Sequence, residues 1–88
     1  MNKEIIIENN TTHKGKSHKR VFACQVFETE NKRTYVLDET KRELGLKRFS
    51  LEEGCRVIDN GITYPIYKIF FSPVPQQTFI IVHPESHL

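Results

Sequence analysis

The densest chemistry in this chain lies in His13-Lys14-Gly15-Lys16-Ser17-His18-Lys19-Arg20, where four fixed positive charges and two imidazoles fall within eight residues. Lysine and arginine on a loop displace the counterions condensed on phosphate backbones, and a Gly and a Ser let the loop adapt to them. Residues 1–50 hold eleven bases and seven acids, whereas residues 51–88 hold two bases and four acids. The charge is therefore polarised although the chain as a whole is only +2. Lys14, Lys16, His18, Lys19 and Arg20, joined by Lys32, Arg33, Lys41 and Arg42, are the residues expected to position phosphate. The same charges also suit a solvated hairpin tip that keeps a sheet edge from aggregating.

Nine aromatic side chains, six Phe and three Tyr, offer a second chemistry. Stacked on bases they would bind single strands, as aromatics on small barrels do. Most must fill the core, because so short a chain has few other large residues to bury. Tyr35, and Tyr64 or Tyr67, are the candidates for an exposed platform, and the competing reading has them covering the core with the hydroxyl in water. Tyr64, Tyr67, Phe71 and Phe79 are also the residues expected at a protein interface, through the strands Ile62–Phe71 and Phe79–Val82.

Metal and catalytic patterns are weak. His13, His18, Cys24, Cys55, His83 and His87 are ligand types, but no Cys-x-x-Cys occurs, and the i, i+4 pair His83/His87 is interrupted by Pro84. No G-x-S-x-G, P-loop or H-E-x-x-H is present, and the adjacent Glu52 and Glu53 point apart rather than pairing. A Cys–His nucleophile, such as Cys55 with His83, would need tertiary assembly, and a strand cysteine is more often a small hydrophobe. The reading is of a non-enzyme without catalytic residues, metal or cofactor.

The elements that must position these residues are strands. Period-2 alternation and turn punctuation predict strands at Glu4–Glu8, Arg20–Glu28, Arg33–Leu37, Cys55–Asp59, Ile62–Phe71 and Gln77–Val82. Asn60-Gly61 between two apolar runs predicts a type I′ hairpin, and Pro65 must face a sheet edge or bulge. The polar stretch 9–19 is expected to be a flexible basic loop, and 83–88 a short tail. Asp38–Gly45, with a capping acid, bases following and a terminal glycine, predicts one short helix after the third strand. Ser50 and Glu53 have the spacing of a capping box for a second turn. The last two strands are apolar on both faces and so require cover on both. The expected fold is mainly β: a small antiparallel barrel or strongly bent sheet of five to six strands, one domain over residues 1–88.

One stretch is similar to a known family. Arg33–Leu46, followed by Glu53-Gly54-Cys55-Arg56-Val57 and Asp59-Asn60-Gly61-Ile62, resembles the swapped-hairpin AbrB/MazE-type DNA-binding domains, in which a strand leads into a short helix ending R-x-x-L-G-L, then a glycine turn and a hairpin. The resemblance covers about a third of the chain. It implies an obligate dimer that reads DNA through basic residues near Arg33, Lys41 and Arg42. Asp38 stands where the family has proline, Lys47–Ser50 looks like an insertion, and the strands after Ile69 have no counterpart.

Eighty-eight residues with a mean hydropathy of −0.49 and 27% charged residues suit one soluble domain with a thin core. No run approaches a membrane span, and Met1–Ile7 does not read as a signal peptide. With only two cysteines, a cytoplasmic protein with reduced thiols is the default, and a Cys24–Cys55 disulfide would require the two to face each other across a sheet. The function expected is a binding module for nucleic acid. The alternative is a protein-interaction domain, an adaptor or inhibitor of a larger protein or nucleoprotein complex, with a homodimer as a further option.

Overall fold

The computed structural model describes residues 2–9, 18–37 and 55–87. These form seven strands: β1 (Asn2–Asn9), β2 (His18–Glu28), β3 (Arg33–Leu37), β4 (Cys55–Asp59), β5 (Ile62–Pro65), β6 (Lys68–Pro73) and β7 (Gln76–Val82). They make one antiparallel sheet in the order β5-β4-β1-β2-β3-β7-β6. The two edge strands are consecutive in the chain, separated only by Ile66 and Tyr67. Three Cα steps reach about 10 Å at most. The sheet therefore has to curl until its opposite edges meet at this corner, which gives the half-barrel.

Alternation supplies the core. Ile5 and Ile7, Phe22 and Cys24, Tyr35 and Leu37, Cys55 and Val57, Tyr64, and Ile80 and Val82 all point to the concave side and are buried there. Val26, Ile66, Ile69 and Phe71 pack against them. The cross-strand register fixes these rows, for instance Ile5 opposite Phe22 and Tyr35 opposite both Val26 and Ile80. A slip of one residue would turn the whole row to the outside.

Several expectations change. The run Ile62–Phe71 is two strands, because Pro65 has no N–H and ends the ladder of β5 against β4, after which the chain crosses to β7. Among the described residues there are seven strands rather than five or six, and no helix. The expected helix Asp38–Gly45 and the capped turn at Ser50–Gly54 lie outside the described residues. Of the loop expected over 9–19, Asn9, His18 and Lys19 lie in strands, Asn9 pairing with His18 and Glu8 with Lys19, while 10–17 lie outside the described residues. The Asn60-Gly61 turn is as expected, with φ of 54° and 81°. No exchanged hairpin is needed here: β5 pairs with β4, and β4 with β1 of its own chain, unlike the swapped arrangement that the resemblance implies.

A Cys24–Cys55 bridge is excluded by register. Cys24 lies opposite Lys3 and Cys55 opposite Asn9. Six residues of β1 separate those positions, about 20 Å at the rise of a strand, whereas a disulfide needs Cα atoms within about 7 Å. Both thiols are buried and unbridged.

Candidate functional site

The turn after β2 is closed by the Thr29 N–H donating to the Lys32 carbonyl at 2.9 Å. It leaves Lys32 at the surface and starts β3 with Arg33 facing inward. Across the sheet, the Tyr67 N–H donates to the Ile81 carbonyl at 2.9 Å, which ties the β5–β6 link to β7. With Pro65 outward and Ile66 packed on the core, the ring of Tyr67 is left 60% exposed. His83, the first residue after β7, meets that ring edge-on with centroids 4.3 Å apart. Its Nδ1 lies 3.2 Å from the Asn31 carbonyl, a distance at which the Nδ1–H tautomer donates and holds the imidazole in place. Lys32 Nζ stands 5.9 Å from the centre of the Tyr67 ring, within cation–π range. Two segments, the turn after β2 and the residue after β7, thus converge on one exposed aromatic ring.

Beneath this corner the same end of the sheet is closed by buried charge. Asp59, 3% exposed, is the inward residue that continues the Cys55, Val57 row. The Tyr35 hydroxyl donates to Asp59 Oδ2 at 2.6 Å, Lys3 sits against Oδ1, and Arg33 Nη1 lies 3.6 Å from Oδ2. Arg33 Nε also donates to Glu28 at 2.8 Å, and its guanidinium stands 5.3 Å from the Tyr64 ring. Burial alone would raise the Asp59 pKa, but hydrogen bonds from Lys3 and Tyr35 outweigh it and hold the carboxyl below its ordinary value. Burial and the Asp59 bond push the Tyr35 hydroxyl up. For Arg33, bonds to Tyr35, Tyr64 and Glu28 more than offset burial and keep it charged. A cavity of about 230 Å³ opens here, with Lys3, Glu28, Arg33, Asp59, Asn60 and Tyr64 in its wall. Its two cations are already matched by two carboxylates.

Nothing in this arrangement activates a nucleophile. Burial, with Asp59 adding to it, raises Cys24 to about 11, so its thiol stays protonated at neutral pH. Among the described residues no three His, Cys, Asp or Glu side chains gather as a metal site requires.

The structure regroups the residues singled out by sequence. Lys32 and Tyr67, read as phosphate contact and interface residue respectively, fall in one corner. Arg33, read as a phosphate contact, is only 18% exposed and serves the buried carboxylate. Tyr64, 5% exposed, and Tyr35 are core, so neither is an exposed platform, and Phe71, expected at a protein interface, packs on the core. Phe79 stacks on Phe70 on the outer face. At the other end of the sheet β1 and β3 finish while β2 and β4 begin. Segments 10–17 and 38–54, which carry Lys14, Lys16, Lys41 and Arg42 outside the described residues, are both joined to that end. Lys19 pairs with Glu8 at 3.4 Å, the Arg20 guanidinium lies 5.6 Å from the Phe22 ring, and His18 opens β2.

Asp59, Lys3, Asn31 and the role of His83 were not among the residues expected from the sequence. The signal for Asp59 was present, since a carboxylate at the third position of a Cys-x-Val-x-Asp buried row must find cationic and hydroxyl partners. His83 carried no such signal, because its partner Asn31 is 52 residues away. Compared with known proteins, the chain matches no family model, no curated protein and no solved structure.

Proposed function

We propose that this chain is a non-enzymatic, cytoplasmic binding module for single-stranded nucleic acid. Tyr67 acts as the stacking platform and Lys32 as the adjoining phosphate contact. The observation that carries this reading is the exposed Tyr67 ring, fixed by His83 and flanked by Lys32. A surface tyrosine held in one orientation costs little to order on binding, and every unpaired base offers it a π-face. Duplex bases are already stacked and present no such face, so the platform favours single strands. Lys14, Lys16, Lys19 and Arg20, with Lys41 and Arg42, supply further phosphate contacts. A short helix over 38–45 after β3 would carry the latter pair.

The test is fluorescence polarisation with labelled single- and double-stranded DNA and RNA at two salt concentrations. The controls are Lys32→Gln and a variant with Lys14, Lys16, Lys19 and Arg20 neutralised. Single-strand binding that weakens with salt, and weakens in both variants, supports the reading. Binding to no probe, or binding indifferent to salt, removes it.

A second reading, a protein-interaction domain, draws on the outer face, where Phe27 and Phe70 are exposed. It predicts a partner protein in place of an oligonucleotide.

A further inference from the structure

The strand order ends on β6, whose single neighbour among the described strands is β7. The register places Lys68, Phe70 and Ser72 on its outer face, opposite Ile81, Phe79 and Gln77. Phe70 lies near the middle of the strand, and its ring stacks on Phe79 with centroids 4.9 Å apart and planes 13° from parallel. Even so it is 42% exposed. Val36 stands opposite Phe79 on the other side, so the apolar row runs inward from the edge. The opposite edge, β5, offers less: four residues ending in Pro65, which cannot donate.

An edge strand with an exposed phenylalanine near its middle is a template for another strand. We propose that this edge is a two-fold junction between two copies of the chain, with β6 pairing antiparallel to β6 of the second copy about Phe70. The register argues for a copy of itself as the occupant. Pairing about an axis perpendicular to the sheet keeps outer residues facing outer residues when it is centred on a residue. Centred on Phe70, it sets Phe70 against the second copy's Phe70 and Lys68 against the second copy's Ser72. Pro73, without an N–H, then falls beyond the ladder. Lys68 is the only charged residue of β6, and this register keeps the two ammonium groups apart, whereas a centre on Lys68 would oppose them. The four rings of Phe79 and Phe70 from both copies then form one row across the junction. Most of β6 follows Ile69, where the swapped-hairpin resemblance has no counterpart, so the junction stands on this chain's own geometry.

The test combines sedimentation equilibrium with cysteine crosslinking on the full chain. Wild type should dimerise reversibly as its concentration rises from about 1 to about 100 µM. Phe70→Lys should raise the dimer dissociation constant at least about tenfold, with the circular dichroism spectrum unchanged. Phe70→Cys, oxidised with diamide to take up the two thiol hydrogens, should give a covalent dimer, because facing strand residues have Cα atoms about 4.5–5.5 Å apart. Lys68→Cys alone should not crosslink, since its two copies lie about 13 Å apart along the ladder. Lys68→Cys mixed with Ser72→Cys should. A monomer across the whole range, a dimer indifferent to Phe70→Lys, or crosslinking at Lys68→Cys alone overturns the proposal. These readouts use no nucleic acid, so they stand or fall apart from the binding function.

Discussion

Lys32 and Arg33 are adjacent in the chain and both cationic, yet they belong to different regions. Arg33 turns inward to Asp59 and Glu28 and helps close the end of the core. Lys32, on the turn, stays outside over Tyr67. Tyr64 and Tyr67 divide the same way, one buried under the Arg33 guanidinium and the other exposed. One step along a strand reverses the direction of a side chain. A cation's role in this molecule therefore follows its parity and its distance from a turn, more than its charge. The interior set is expected to govern stability and the exterior set binding.

The largest effect should come from removing the centre of the buried set. Asp59→Ala leaves Lys3, Arg33 and the Tyr35 hydroxyl without their shared partner, and should cost about 3–5 kcal/mol. Against a total of about 5–15 kcal/mol for a small domain, that is a large share of the stability. Urea denaturation measures this, and a loss under about 1 kcal/mol would break the comparison. The same carboxylate sets a pH dependence. Its pKa is lowered in the fold, so its stabilisation is complete above the ordinary value near 3.8 and fades as pH falls below it. Thermal melts between about pH 2 and pH 7 should fall on the acid side, and less steeply in Asp59→Asn.

Tyr35→Phe keeps the ring in the core and deletes only the 2.6 Å bond to the carboxylate. A loss of about 1.5–3 kcal/mol is expected for a bond to a charged group, with oligonucleotide affinity of the folded fraction unchanged. A selective loss of binding would mean that the two regions are not separable.

Tyr67→Ala should do the reverse. Affinity for a single strand should fall by about 1–3 kcal/mol, roughly 5- to 150-fold, while stability shifts by no more than about 0.5 kcal/mol. Lys32→Gln should give the smallest change: a few-fold loss of affinity, and a salt dependence shallower by about 0.7 in the log–log slope if it holds one phosphate.

Much of the fold was legible because period-2 burial is written locally. The strands Arg33–Leu37 and Cys55–Asp59, and the Asn60-Gly61 turn between β4 and β5, follow from residues adjacent in the chain. The division of Ile62–Phe71 was half legible. Pro65 signalled an edge, but the crossing to the opposite edge depends on the curl of the whole sheet. The corner was legible only as parts. Lys32 and Tyr67 each stood out by type, while their meeting, and the anchoring of His83 by Asn31, comes from pairings of strands distant in sequence. The inward turn of Arg33 was hidden because a strand-initial arginine reads as solvent-exposed until its buried carboxylate is found.

The most direct test of the central claim is an NMR titration of tyrosine-labelled protein with a single-stranded oligonucleotide. Only three tyrosines are present, and of these Tyr35 and Tyr64 are buried while Tyr67 is exposed. The Tyr67 ring signals should shift upfield and saturate as bases stack on them, while those of Tyr35 and Tyr64 stay in place. Oligonucleotide binding that leaves Tyr67 unmoved, or no binding at all, would contradict that claim.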